Sequence, residues 1–427
     1  MNNTGSNVHD LLDRKPPKLK HGNHLFLGSI FVALVILLVS RNLLFFTQPR
    51  IWAEEGSVHI QSFLDNGWLA SLFLPHLGYY SFFNNYVVDI SMLTLGIKLA
   101  PYGTTAFCML YMTSIFLFPL LIESDYWNTP IKKLLVLLSS VLISSAELWL
   151  NTVHMQFYFC LFSCYLLIAD YSKIKGWRRW YCLFFLTNSA LTGVTSVVLL
   201  PFYGIKYITF RADSDINKTA NALIFLIILG FGLLIQLCSL YYLHVSAHEG
   251  GRFSLGYYPN LLSGLRATAV CAIPTVGLDR FPWLGDIYAL AKVAFLATIF
   301  AILYSCNKER NLIIISLYLV SVFVSLSNEM RGGMRYGYAP AELFLIAIIN
   351  AIYAPKYKMA VASAVMLFFI LSINAVSYFN TKSVYDNTWL SYPEALQESE
   401  GNGGVIHLFP QWVGWNYVIR LPQAKPL

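Results

Sequence analysis

Nine long apolar stretches, each nearly free of charge, constrain this chain more than any motif in it. They are Leu25–Phe46, Thr104–Ile122, Leu134–Leu150, Met155–Ala169, Ala220–Leu243, Ile287–Ser305, Leu312–Leu326, Ala339–Tyr353 and Met359–Ser377. A helix that crosses a bilayer needs about 20 mostly apolar residues, and a soluble fold has no place for so many. Only 12% of the residues are charged and 57% are apolar, against roughly 25% charged in a soluble domain. Tyr and Trp number 27 and 10, as suits a chain with many membrane interfaces. The expected fold is all-α, a polytopic transmembrane helical protein with about 9–11 membrane segments. The apolar run after the polar first 24 residues is too long for a signal-peptide core and reads as a retained anchor.

Two stretches are less simple. Phe82–Ala100 is interrupted by Asn84, Asn85, Asp89 and Lys98, and Trp180–Tyr203 is broken by TNSALTG. Positive charge sets orientation. The densest cluster is Lys173, Lys175, Arg178 and Arg179, which belongs in the cytoplasm together with the basic tail 1–24. This holds along the chain if Phe82–Ala100 lies in the outer interface without crossing, and if Trp180–Tyr203 enters and returns near Asn188–Gly193. Of the 29 Lys and Arg, 17 then lie in short inner segments. Residues 25–378 form the membrane domain, with outer loops at 47–103 and 244–285 and a short outer tail, 379–427. That tail is too small for a core of its own. The net charge of +7 is scattered between apolar runs, so nucleic acid is not an expected partner. Of the seven cysteines, only Cys271 falls in a probable loop, and packing accounts for all of them.

Three outer motifs carry chemistry. Glu54 and Glu55 in WAEEG follow the first span; adjacent carboxylates can take a proton from a hydroxyl, hold a divalent ion or bind a sugar hydroxyl. Two solvated acids on a loop would read the same way. Asn151, His154 and Gln156 in NTVHMQ sit at an otherwise apolar turn, with Glu147 just inside the preceding span. Helix capping by Asn151 and a backbone bond to His154 are the plain alternatives. Arg331, Arg335 and Tyr336 lie in RGGMRYGY before a late span. Arginine matches phosphate bidentately, and positive charge is disfavoured on this face, so a lipid-phosphate site is favoured over snorkelling. Arg252 could help grip an anionic ligand. His244 and His248 share helical spacing but lack a third metal ligand, and no metal centre is expected.

The acidic WAEEG after the first span, the broken LTNSALTGVTSVVLLPF and MRYGYAPAELFL together resemble the GT-C glycosyltransferases. These are integral membrane enzymes that use polyprenyl-phosphate sugars as donors. The resemblance spans about residues 25–378 and implies interfacial helices in the first outer loop, here Ser57–Asn66 and Phe82–Ala100. It implies catalytic roles for Glu54, Glu55 and His154. It implies substrate contacts from Arg331, Arg335, Tyr336, Asn151, Gln156 and Arg252. Many members carry a second acid where this chain has NTVHMQ, so the chain supplies no clear support for a divalent metal. Size and the small tail are similar to the phage-type serotype-converting enzymes. That implies transfer of one sugar, usually glucose, with inversion or retention, to O-antigen lipopolysaccharide on the periplasmic side of the bacterial inner membrane. The rival classes are a flippase or transporter of lipid-linked sugars, an O-antigen polymerase or ligase, and a membrane acyltransferase using His154. A transporter would show related halves and deep charges; here only Glu147, Lys292 and Glu342 are candidates for deep charge.

Overall fold

The computed structural model describes residues 23–49, 51–76, 78–143, 148–246, 268–269, 271–272, 307–326, 335–353, 357–379, 391–401, 404–408 and 417–421. Arg331, Arg252, Glu147, Lys292, His248, Cys306 and the apolar run Ile287–Ser305 lie outside these residues, as does the His244 side chain. The described chain is dominated by α-helix. Two of the helices, over Ile216–Tyr242 and Lys358–Phe379, are long and apolar enough to cross a membrane.

Two short helices form the centre. Met155–Ile168 is buried through Leu167, and Tyr338–Ala351 is buried at every position. A helix that is apolar on all faces must be kept from water on every side, and here other helices do so. The enclosing helices include Asn23–Arg41, Pro130–Leu142, Trp177–Leu191, Ile216–Ser246, Asn307–Leu326 and Tyr357–Phe379. Their outer faces leave large apolar side chains uncovered, among them Ile227, Phe231, Leu234, Phe368 and Phe369. Most of the expected apolar runs reappear as helices. The run Leu134–Leu150 is an exception: its helix, Pro130–Leu142, starts earlier and stops at Ile143. Thr129 and Pro130 explain the start, since the Thr129 hydroxyl accepts from the Lys132 N–H at 3.3 Å and proline suits the first turn.

The chain over Trp180–Tyr203 reverses its direction. Asn221 donates to the carbonyls of Tyr171 and Ile174, and a Cβ at Gly232 would lie 2.6 Å from Ala190. Trp177–Leu191 therefore runs beside the first half of Ile216–Ser246. The chain breaks at Thr192, where Thr195 Oγ1 donates to the Gln156 carbonyl at 2.8 Å. Leu200–Ala212 then descends until Lys206 reaches the carbonyls of Leu167 and Ala169 at 2.5 and 2.9 Å.

Phe82–Ala100 belongs to a longer element, Phe82–Phe116, which bends sharply at Gly96 (φ 67°, ψ 172°). A Cβ at Gly103 would lie 2.5 Å from Ser91 Oγ, and Tyr86 bonds Tyr111, so the two arms fold back on each other. That backbone region is open essentially to glycine alone and costs about 1–3 kcal/mol for other residues. Gly96→Ala should therefore lower stability by about that amount, although its Cβ would meet nothing within 4 Å. Thermal unfolding of the purified chain checks this; an unchanged midpoint would mean the bend is not fixed there.

The described residues of the tail share a core with the first outer segment. Tyr392–Gly401 and an antiparallel pair of strands, Val405–His407 and Val418–Arg420, pack on the segment after the first helix. Ile51, Ala53, Ile60, Val88, Met92 and Ala100 meet Tyr392, Ala395, Ile406, Leu408, Tyr417 and Ile419 in this second core. Gln61 clasps the backbone of Arg420 from both sides, accepting at 2.7 Å and donating at 3.4 Å. The strand pair is a small departure from an all-helical chain.

Cys271, expected in a loop within 244–285, is buried instead, and residues 271–272 are helical. The Ala272 carbonyl accepts from Asn374 at 2.7 Å, so this piece packs on Tyr357–Phe379. Cys238, expected to pack, is exposed.

Candidate active site

Glu54 and Glu55 lie where the chain leaves Trp52 and winds into a single wide π-helical turn, Glu55–Ile60. Such turns are rare and gather at functional sites. Gly56 lies against Leu408 and, with a Cβ, would come within 3.1 Å of Ile419, so the tail presses this turn into place. Neither acid is solvated: Glu54 is 4% and Glu55 2% exposed.

The two carboxylates point differently. The Trp52 indole N–H donates to Glu54 Oε2 at 3.2 Å. The Trp52 ring meets the His154 ring edge-on, with centroids 5.1 Å apart. Arg335 Nη1 lies 3.1 Å from His154 Nε2. A guanidinium only donates, so this nitrogen accepts, and His154 is neutral with its proton on Nδ1. Residues 54, 154 and 335 thus form one line through Trp52. Glu55 turns inward, where Thr152 Oγ1 donates to it at 2.9 Å and Thr104 adds a second hydroxyl.

The turn that carries His154 is strained. Leu150 has φ +47°, a left-handed conformation uncommon for a leucine. Asn151 Oδ1 accepts from the His154 N–H at 3.0 Å, and Thr152 is tied to Glu55. Arg41, at the last turn of the first helix, stacks between Trp149 and Tyr378 at 4.3 and 4.4 Å. Arg335 and Tyr336 belong to one 3-10 turn, 335–337, at the mouth of the buried Tyr338–Ala351 helix. Tyr336 packs edge-on against Phe157 at 5.1 Å.

Asn151 therefore holds the turn, as the capping alternative had it. Gln156 donates to Tyr79 Oη at 3.1 Å and to the Val153 carbonyl at 3.3 Å, bracing the broken helix at Gly193. Both side chains are engaged within the fold. His154 Nε2 meets the Arg335 guanidinium.

Beside Glu54 lies a second polar group that sequence reading did not single out. Asn85 donates to the carbonyls of Leu72 and Leu74, which fixes its Oδ1 as acceptor from His59 Nδ1 at 2.8 Å. His59 Nε2 must then accept from Asn84 at 3.2 Å. Both ring nitrogens are engaged, and burial, aided by the His76 ring, pushes His59 down to about 3. Its neutrality suits a supporting role. The only sequence trace of this layer was the pair of asparagines interrupting an apolar stretch.

Burial lifts Glu55 from 4.5 to about 7, against the pull of the Thr152 hydroxyl and nearby backbone N–H groups. The folded chain then holds a proton that the unfolded chain releases near 4.5. Stability from that proton is complete below pH 4.5 and is lost as pH rises through about 7. Glu55→Gln cannot ionise, so its stability advantage over wild type should grow by about 3 kcal/mol between pH 5 and pH 8. Unfolding midpoints across that range check it; parallel curves would mean Glu55 stays charged.

Among the described residues, no three His, Cys, Asp or Glu side chains gather closely enough to hold a metal ion. No family model, no curated protein and no solved structure matches the chain.

Proposed function

We propose that the chain is a membrane glycosyltransferase that moves one sugar from a polyprenyl-phosphate donor to a glycan acceptor on the outer side of a bacterial inner membrane. The observation that carries the reading is the line Glu54–Trp52–His154–Arg335. It joins a carboxylate and a guanidinium from residues 281 positions apart in sequence. Transfer at an anomeric carbon needs a base for the acceptor hydroxyl and a positive group for the departing phosphate. Glu54 and Arg335 supply that pair, with Arg331 on the same motif as a second phosphate contact.

Glu54 is the base in this reading, because it faces the line, and Glu55 braces the Thr152 turn. Trp52 holds Glu54, and Arg335 is positioned through His154. A polytopic membrane setting is supported by the uncovered apolar side chains on the outer helices, combined with polar groups such as Ser163, Ser189 and Ser196 buried inside. The narrower acceptor, O-antigen lipopolysaccharide, and the narrower sugar, glucose, rest on the resemblance to serotype-converting enzymes. Comparing lipopolysaccharide glycans from cells with and without the gene tests the reading. One added hexose per repeat is expected, and identical glycans would remove it.

A second reading, a flippase of lipid-linked sugars, is favoured by one observation: Glu342 is completely buried in the central helix.

A further inference from the structure

We propose that Glu342, Ser139, Ser140, Tyr165 and the Val136 carbonyl form a buried site for a small monovalent cation, sodium in the first place. The site lies in the helix core, away from the Glu54 line, and does not depend on glycosyl transfer. Three helices build it: Tyr338–Ala351 brings the carboxylate, Pro130–Leu142 the two serines and the carbonyl, and Met155–Ile168 the phenol.

Glu342 is wholly buried, and so are Ser139, Ser140 and Tyr165. Glu342 Oε1 lies 2.9 Å from Ser139 Oγ, 3.0 Å from Ser140 Oγ and 2.8 Å from Tyr165 Oη. Ser139 and Ser140 also lie 2.9 and 2.6 Å from the Val136 carbonyl, and Ser140 lies 2.5 Å from Tyr165. Each hydroxyl has one hydrogen, so there are more close oxygen pairs than hydrogens to fill them. The remaining pairs must share a hydrogen between two acceptors. A cation among the oxygens would replace those shared hydrogens with coordination.

The second carboxylate oxygen, Oε2, is buried and has no hydrogen-bond partner. A buried polar atom left without a hydrogen bond is costly, and bidentate coordination would use this oxygen too. Lys132, on the same serine-bearing helix, is bound elsewhere, to Asn350 Oδ1 at 3.0 Å. Asn350 lies eight positions beyond Glu342 in the Tyr338–Ala351 helix, about 12 Å along its axis. The ligand set is all oxygen, which selects hard cations. One carboxylate among neutral oxygens balances a single positive charge.

The test uses the full chain purified in detergent. Thermal unfolding is followed at fixed pH and ionic strength in sodium, lithium, potassium or choline chloride. A saturable rise of several degrees is expected in sodium, absent in choline, as for any ligand that binds the folded state. Glu342→Gln should abolish the rise, and Ser139→Ala should shift its midpoint to higher sodium. Gel filtration and circular dichroism establish that each variant is folded; Ser139→Ala carries the test if Glu342→Gln is not. Equal midpoints in all four salts would overturn the site. So would a rise that survives in both variants, or a midpoint that follows pH and ignores the cation, which would mean that Glu342 holds a proton instead.

Discussion

A Glu54→Gln variant is expected to fold, insert and lose about 10²–10⁴-fold of its transfer rate, the usual contribution of a general base. The change is nearly isosteric. The amide can still accept from the Trp52 indole N–H, so the geometry of the line survives while basicity is lost. Glu55→Gln is the matched control. It keeps an oxygen for Thr152 and lies off the line, so at neutral pH it should retain most activity. His154→Ala separates the rival acyltransferase, which would depend on His154 as nucleophile or base and tolerate both Glu→Gln changes. Transfer is read with purified variants at saturating donor. Full activity in Glu54→Gln and a large loss in Glu55→Gln would reverse the two roles.

Arg335→Lys should weaken donor use by roughly 10- to 100-fold, seen as a raised KM for the lipid-phosphate sugar. Charge-assisted hydrogen bonds are worth about 1.5–3 kcal/mol, and lysine keeps the charge but not the planar fork. Two things are lost together: a directed donor to phosphate and the N–H that faces His154 Nε2. The loss should be steepest at low donor concentration and partly recovered at high donor. Unaltered kinetics in Arg335→Lys, also when combined with Arg331→Lys, would argue that the motif meets lipid headgroups and not the donor.

Much of the fold was legible because apolar length is a strong, local signal. Met155–Ala169 and Ala339–Tyr353 appear almost unchanged as the buried helices Met155–Ile168 and Tyr338–Ala351. The polar break at TNSALTG marked a real reversal, since Thr192 and Gly193 bond back to Ser81 and Tyr80. The bend at Gly96 was not legible, because an isolated glycine in an apolar run looks like helix until its φ is known. The shared second core was hidden for another reason. Its members come from three segments, around residues 51–60, 88–100 and 392–419, and each is too short to reveal a partner.

The site divides the same way. WAEEG, NTVHMQ and MRYGY stood out because charge and polarity are conspicuous beside apolar runs. Sequence could not say that Glu54, and not Glu55, faces His154, because adjacent residues diverge by an angle only the local winding sets. A π-helical turn has no residue signature that would have set it. Trp52 was inside the motif, yet its role as the link from Glu54 to His154 depends on a contact across about a hundred residues.

The most direct test reconstitutes the full chain in proteoliposomes with polyprenyl-phosphate carrying a labelled sugar and a glycan acceptor on the site-bearing side. The account predicts that label moves to the glycan and polyprenyl phosphate accumulates in equal amount, and that Glu54→Gln stops both. Donor that stays intact while crossing to the other leaflet would contradict it, and the chain would be a transporter.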